Sequence, residues 1–287
     1  MAEIGLVYDR IRWEEKALIE AIREKGLTAK IIDSKETYID TQKDPLKIRE
    51  EFGQVAIERC VSYFRGLHLS AALEYAGIPV VNPFKVSQIC GNKLFTTLTL
   101  IKAGVKTPRT FVAFAESGAS KALEQLGYPV VMKPVIGSWG RLVALIHDKD
   151  AAQALIESRE EMRNALLQVY YLQQYVKRPP RDVRIMVIGE EVVAASYRYS
   201  PPGDWRTNVA RGGISRPCFI TPQLEETALG AAQAVGGGVL AVDCMESEEE
   251  FLVHEVNSTV EFRGLSSATQ VNIAEKIINY VVEVAKR

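Results

Sequence analysis

Two stretches combine residue types whose spacing suits chemistry as well as packing. In "VVMKPVIGSWGRLV", residues 130–143, Lys133 stands at the mouth of a β-branched run and is followed by Gly137, Ser138, Trp139, Gly140 and Arg141. Backbone amides of a Gly-rich loop together with a lysine can hold triphosphate oxygens without a helical phosphate loop. A glycine-bounded hairpin turn accounts for the same residues with no ligand. In "AVDCMESEEEFLVHEVNSTVEF", residues 241–262, Asp243 ends one strand, and Glu255 and Asn257, two apart, project from one face of the next. Two carboxylates and an amide oxygen suit a hard divalent ion such as Mg²⁺, which shares phosphate oxygens with a nucleotide. The plain alternative is polar residues at a strand terminus. They follow the apolar "FLV", however, where burial without a partner is costly.

Other residues fit around these two centres. "LQQYV", residues 172–176, precedes a basic, proline-broken link, and the backbone of Tyr175 and Val176 can meet the edge of a purine, unless the pair is only a strand end. Asp182 and Arg184 open the next strand on one face, and Arg184 can hold a carboxylate or a phosphate. In "WRTNVARGG", Asn208 and Arg211 sit in a loop bounded by Gly203, Gly212 and Gly213, a composition that fits a mobile substrate clamp or simple surface irregularity.

These residues need a scaffold, and its outline is an α/β chain in three regions. "IGLVYD", a helix with Leu18, Ile19 and Ile22 at helical spacing, Gly26 as its stop, and "AKIID" make a βαβ opening. "VAIERCVS", the helix containing "LSAALEYA", and "GIPVVN" complete an α/β unit over residues 1–90. Residues 91–174 begin with the amphipathic helix "NKLFTTLTLIKAGV" and carry "RTFVAF", "YPVVMKPV" and "RLVALIHD" as strands around "SKALEQLG". Residues 175–287 hold "DVRIMVIGEEVVAASYRYS", the polar loop "SPPGDWRTNVARGG", the helix "QLEETALGAAQAVG", the strands "GVLAVDCME" and "EEFLVHEVN", and a final helix with a clear apolar face.

Composition narrows the partners. With 287 residues and a net charge of −1, the chain is long enough for a substantial core and lacks the basic arm of a nucleic-acid binder. Apolar runs are too short to span a bilayer, and the first residues have no basic leader, so the sequence reads as a cytoplasmic chain with no membrane partner. Cys60, Cys90, Cys218 and Cys244 are scattered, as are His68, His147 and His254, which argues for free thiols rather than a structural zinc.

Taken in order, Lys93, Lys133, the Gly137–Arg141 loop, Asp243, Glu255 and Asn257 resemble the ATP-grasp ligases. More narrowly, "YDRIR", "ERCVS", "KPVIGSWGRL", "NVARGG" and "HEVNSTVEF" resemble the LysX and ArgX enzymes, relatives of RimK that act with the carrier protein LysW. The resemblance implies an N-terminal α/β domain before two domains that clasp ATP between antiparallel sheets. It further implies that Lys93 and Lys133 contact nucleotide phosphates under a lid of Gly137 to Arg141, with Gln174, Tyr175 and Val176 at the adenine. Asp243, Glu255 and Asn257 would hold Mg²⁺, and Arg184, Asn208 and Arg211 would face the phosphoryl group and substrates. ATP would phosphorylate the side-chain carboxylate of the carrier's C-terminal glutamate, and the α-amine of glutamate or α-aminoadipate would then form an isopeptide bond, in lysine or arginine biosynthesis. Gln174 stands where an acidic hinge residue is common. Gly264-Leu265, after "EFR", matches the glutamate type only at its glycine. A RimK-like glutamate ligase and a non-catalytic ATP-binding regulator are the rival readings. Enzymes of this shape commonly form homo-oligomers, and no stretch of the sequence specifies one.

Overall fold

A computed structural model of the chain describes residues 3–286. The first sheet is parallel, in the order β2-β1-β3-β4, with β1 Glu3–Tyr8, α1 Trp13–Glu24, β2 Thr28–Asp33, α2 Pro45–Phe52, β3 Val55–Glu58, α3 Tyr63–Tyr75 and β4 Val80–Val81. Helices α4 Phe84–Cys90 and α5 Lys93–Lys102 lead to an antiparallel sheet, β5-β8-β6-β7. It is built from β5 Thr110–Ala113, α6 Glu116–Leu126, β6 Val130–Lys133, β7 Ala144–Ile146, α7 Lys149–Glu161 and β8 Tyr170–Gln174. The third sheet, β11-β10-β9-β12-β13, contains β9 Arg181–Ile188, β10 Glu191–Tyr199, β11 Ile214–Pro217, α8 Pro222–Val235, β12 Val239–Glu246 and β13 Phe251–Asn257. Helices α9 Arg263–Thr269 and α10 Ile273–Val284 close the chain. Helices α2, α4, α7 and α9 and strand β11 go beyond the sequence reading; all but α7 are short, and α7 buries Ala152 and Ile156 in the core of its sheet among many charged positions. Strand β7 starts at Ala144 rather than Arg141, because Leu142 has φ 55° and cannot extend a ladder.

The hydrophobic pattern explains how the sheets join. β1 is buried on both faces, as parallel strands are: Ile4 and Leu6 pack on one side, and Val7 packs on the other with Phe52, Ala56 and Leu73. The first side is shared. Ile4 and Leu6 join Met186, Ile188 and Ala241 of the five-stranded sheet and Ile273, Ile277, Ile278 and Val281 of α10, whose spacing makes a single apolar stripe. The other face of the five-stranded sheet buries Val183, Ile185, Val187, Leu240 and Val242 under α8, with Leu100 of α5 in the same core. Asn82 reinforces the first junction. Its Nδ2 donates to the carbonyls of Val239 and Ser258 at 2.7 and 2.6 Å, and its Oδ1 accepts from the Val239 amide at 2.7 Å. By contrast, the β5-β8-β6-β7 sheet keeps a core of its own, Leu123, Val130, Met132, Ile156 and Leu172 among its members. That separation sets the second sheet apart from the welded pair. Among the described residues no helix is long and apolar enough to cross a membrane.

Close approach of α2 to β1 requires Gly5, where an added Cβ would lie 2.0 Å from the Phe52 carbonyl oxygen. Gly5→Ala is expected to cost about 3 kcal/mol by overpacking a backbone-lined space, measured as a lower urea midpoint with an unchanged slope.

Candidate active site

The cleft lies between the two antiparallel sheets and is lined by residues of both. β6 delivers Lys133 to it. Lys133 is 7% exposed, and its Nζ donates to Gln173 Oε1 at 2.6 Å on the neighbouring strand β8. Gln173 is held in turn: its Nε2 donates to Tyr171 Oη at 3.0 Å and Thr110 Oγ1 at 3.2 Å, and Tyr171 Oη shares a 2.8 Å bond with Thr97 Oγ1. Every partner in this chain is neutral, so burial dominates and pushes the Lys133 pKa down to about 8, despite the attraction of Glu255. Lys93 arrives from α5, whose N-cap Asn92 accepts from the Leu94 and Phe95 amides. Its Nζ donates to the Gly137 carbonyl at 2.7 Å and to Glu255 Oε1 at 3.0 Å.

Gly137, Ser138, Trp139, Gly140 and Arg141 roof the cleft, in the connection between the antiparallel pair β6 and β7. The stretch is therefore both a hairpin connection and a cover. Gly140 has φ 65°, and a Cβ there would meet Asn208 Oδ1 at 2.6 Å, so Asn208 packs directly against the roof. Arg206 Nη1 donates to the Gly140 and Val143 carbonyls at 3.3 and 3.4 Å. Gln174, Tyr175 and Val176 also line the cleft, as do Met245 and Trp205.

The floor is a ladder of charge across the five-stranded sheet. Arg198 on β10 sits opposite Asp182 on β9, Arg184 on β9 opposite Asp243 on β12, and Asp243 opposite Glu255 on β13. Arg198 grips Asp182 through Nε and Nη2 at 2.8 and 2.7 Å, and Arg184 grips Asp243 through the same atoms at 2.8 Å each. Burial alone would raise the Asp182 pKa, yet Arg198 and His254 outweigh it and hold the carboxyl well below its usual range. Burial likewise opposes ionised Glu255, and Lys93, His254 and Lys133 overcome it, keeping the pKa at about 2.

The structure does not bring every expected residue to the cleft wall. Arg184, Asp243 and Asn257 stand outside the lining although Asp243 is in register with Glu255 on the adjoining strand, and Asn257 Nδ2 donates to Asp243 Oδ2 at 3.3 Å. Arg211 donates to Asp204 Oδ2 at 2.9 Å and stands outside the lining. Leu265 is 2% exposed and packs in the core, while Gly264 lies against Ser215 and Val209, and neither lines the cleft.

Sequence reasoning missed Gln173, Arg178, Arg198, Thr207 and His254, all of which line the cleft. Arg198 escaped because the register shift between Val192 and Ala194 moves it opposite Asp182, where a plain hairpin about Gly189 and Glu190 would set Tyr197. His254 escaped for a similar reason. The register shift between Asp243 and Cys244 leaves His254 as the extra residue of a β-bulge, which turns it to the same cleft as Glu255 instead of the opposite face.

Comparison with known proteins agrees with this architecture. Residues 90–281 match the model of the RimK-like ATP-grasp domain, and residues 4–89 match that of the LysX preATP-grasp domain. The chain belongs to the RimK-like ATP-grasp family. Its curated relatives include the glutamate–LysW ligase ArgX of Sulfurisphaera tokodaii, 37% identical over 98% of each chain. The α-aminoadipate–LysW ligase LysX of the same organism is 34% identical over 99% of each. A RimK domain ATP-grasp protein from Sphaerobacter thermophilus superimposes with a TM-score of 0.78 at 26% identity, over 98% of this chain and 100% of that one. The D-alanine–D-alanine ligase of Bacillus anthracis, solved with ATP, shares the fold at a TM-score of 0.74 and 17% identity, over 100% of this chain and 98% of that one. This RimK-like chain is thus an ATP-using ligase built on the ATP-grasp fold.

Lys133 gives the site a measurable signature. A bound phosphate favours the charged lysine, so nucleotide affinity should fall as pH rises through about 8, the point at which the free side chain loses its proton. Calorimetry in buffers of different ionisation enthalpy should show little proton uptake on ATP binding at about pH 7 and close to one proton at about pH 9. Gln173→Glu, which sets a carboxylate beside Lys133, should remove that uptake.

Proposed function

We propose that the protein joins the α-amine of glutamate or α-aminoadipate to the side-chain carboxylate of the C-terminal glutamate of a LysW-type carrier, in lysine or arginine biosynthesis in the cytoplasm. The observation that carries this reading is a cleft with Lys93, Lys133 and Arg198 along one path and the ionised Glu255 within it, in a chain whose nearly full-length relatives are named as LysW ligases of both kinds. In this reading residues 1–90 present the acceptor side, 91–174 supply the lid, and 175–287 supply the catalytic floor.

Lys93 and Lys133 would hold the phosphates, and the backbone of Tyr175 and Val176, beside Gln174, would meet the adenine. Asp243, Glu255 and Asn257 fit Mg²⁺ by donor chemistry, offering two carboxylates and an amide oxygen on one face of adjoining strands. Among the described residues no three His, Cys, Asp or Glu side chains gather as a metal set, which leaves this mixed set as the candidate. When bound, Mg²⁺ would neutralise phosphate oxygens during transfer. Arg184, Arg198 and Lys93 already balance the carboxylates and fix their orientation.

The γ-phosphoryl group would pass to a carboxylate oxygen of the carrier, with ADP leaving. The amine would then attack the activated carbonyl, the C–N bond would form, and phosphate and the amine's proton would depart. Roofing by Gly137 to Arg141 excludes the water that would otherwise hydrolyse the acyl phosphate. Asn208, against the roof, and Arg211, at the loop's end, would order the substrate side. The experiment is a ligation assay read by intact-carrier mass: purified protein, Mg-ATP and carrier, with each amino acid supplied separately. A mass gain with one assigns the branch, and a gain with both makes the enzyme dual. No gain on the carrier, with glutamate added to another protein's C-terminus and ADP released, points to the RimK-like alternative. Arg184→Ala is expected to lower ligation by about 10²-fold while nucleotide binding persists, because Arg184 grips Asp243 and stands outside the lining that holds the two lysines.

A further inference from the structure

The roof of the cleft is held in a conformation its own sequence does not favour. Trp139 and Leu142 have φ of 60° and 55°, a region that bulky L-residues rarely occupy. Something outside the loop must hold it. Trp139 Nε1 donates to both oxygens of Glu261 at 3.2 Å, and the Arg141 guanidinium stacks 4.8 Å over the Trp139 ring. Glu261 belongs to the segment between β13 and α9, on the welded body of the molecule, whereas Trp139 belongs to the sheet with a separate core.

Glu261 is itself anchored from the N-terminal unit. Arg12 Nη1 donates to its Oε1 at 2.8 Å, while Arg12 Nε and Nη2 bind the fully buried Glu15 at 3.1 and 2.9 Å. Arg59, from the end of β3, binds Glu15 at 2.9 Å and the Val260 carbonyl at 2.9 Å, which closes a circuit beside Glu261. One carboxylate therefore receives a donor from each of the two other units. At 37% side-chain exposure it is open enough to exchange partners with water, as a releasable contact must be.

We propose that Glu261 is a positioning residue, the catch that Trp139 engages to hold the roof shut, with Arg12 keeping the catch in place from the acceptor side. Its role in catalysis rests on the ligase reading: a shut roof keeps water from the acyl phosphate, so the catch sets how much ATP is spent per amide bond. The contact is made within the protein alone, so its existence can be tested without any ligand.

Two variants serve, Trp139→Phe, which keeps the ring and removes its N–H, and Glu261→Ala, which removes the acceptor. Arg141 precedes an exposed Leu142, so trypsin reports roof opening as cleavage between them, followed by mass spectrometry on the full-length, nucleotide-free protein. Both variants are expected to be cut there about tenfold faster than wild type. With carrier, amino acid and Mg-ATP, ADP released per amide bond should rise from near one to several. Cleavage at the wild-type rate in both variants overturns the catch. Faster cleavage with an unchanged ADP ratio overturns its role in catalysis. Faster cleavage with no amide bond formed by the wild type upholds the catch and overturns the ligase reading instead.

Discussion

The pairing of Arg184 with Asp243 and of Arg198 with Asp182, in register across three antiparallel strands, is the constraint on which the site depends. All four groups sit at the cleft end of strands whose other end is core: Asp182 and Arg184 share a face with Met186 and Ile188, which pack against the parallel sheet. A one-residue slip of β9 would turn Asp182 and Arg184 under α8 and bring Val183 and Ile185 round to the cleft side, so the register is fixed by the opposite preferences of the two faces. Breaking a buried ion pair costs about 3–5 kcal/mol, but replacing one wholly by apolar residues is often neutral. Stability alone therefore does not account for two such pairs.

That floor is rigid, and the roof is not built the same way. The parallel and five-stranded sheets share one core and are stitched by Asn82 and Arg59, whereas the sheet bearing Lys133 packs on itself. Fixed charges on one body and lysines on both would give the proposed phosphate site a preorganised floor. The neutral support of Lys133 by Gln173 sharpens this arrangement. A carboxylate in the place of Gln173 would satisfy the lysine by itself, and an amide leaves its charge available to a phosphate.

Much of this was legible in the sequence, and the reasons differ by residue. Lys133, Asp182, Arg184, Glu255 and Asn257 were visible because polar residues interrupt apolar strands at a fixed alternation, a signal that survives without coordinates. The shared core was not visible. The face of β9 that carries Asp182 and Arg184 becomes the face that meets α10, and only packing reveals the neighbour. His254 escaped because a bulge adds one residue and reverses the alternation on which the reading of β13 relied. Gln173 escaped because its meaning lies in Tyr171, Thr110 and Thr97, three positions from three elements that no local pattern connects. Arg211 was read as facing the site because its loop is glycine-bounded, yet Asp204, seven residues earlier, claims it.

The central claim is that the ladder of charge activates a carboxylate by phosphorylation. The most direct test is oxygen transfer, using a carrier whose C-terminal glutamate carries ¹⁸O in its side-chain carboxylate, with Mg-ATP and the amino acid, and the released phosphate analysed by mass spectrometry. One labelled oxygen in each phosphate formed per amide bond is the result this account requires. Unlabelled phosphate in step with amide formation would mean that the carboxylate never carried the phosphoryl group, and would contradict it.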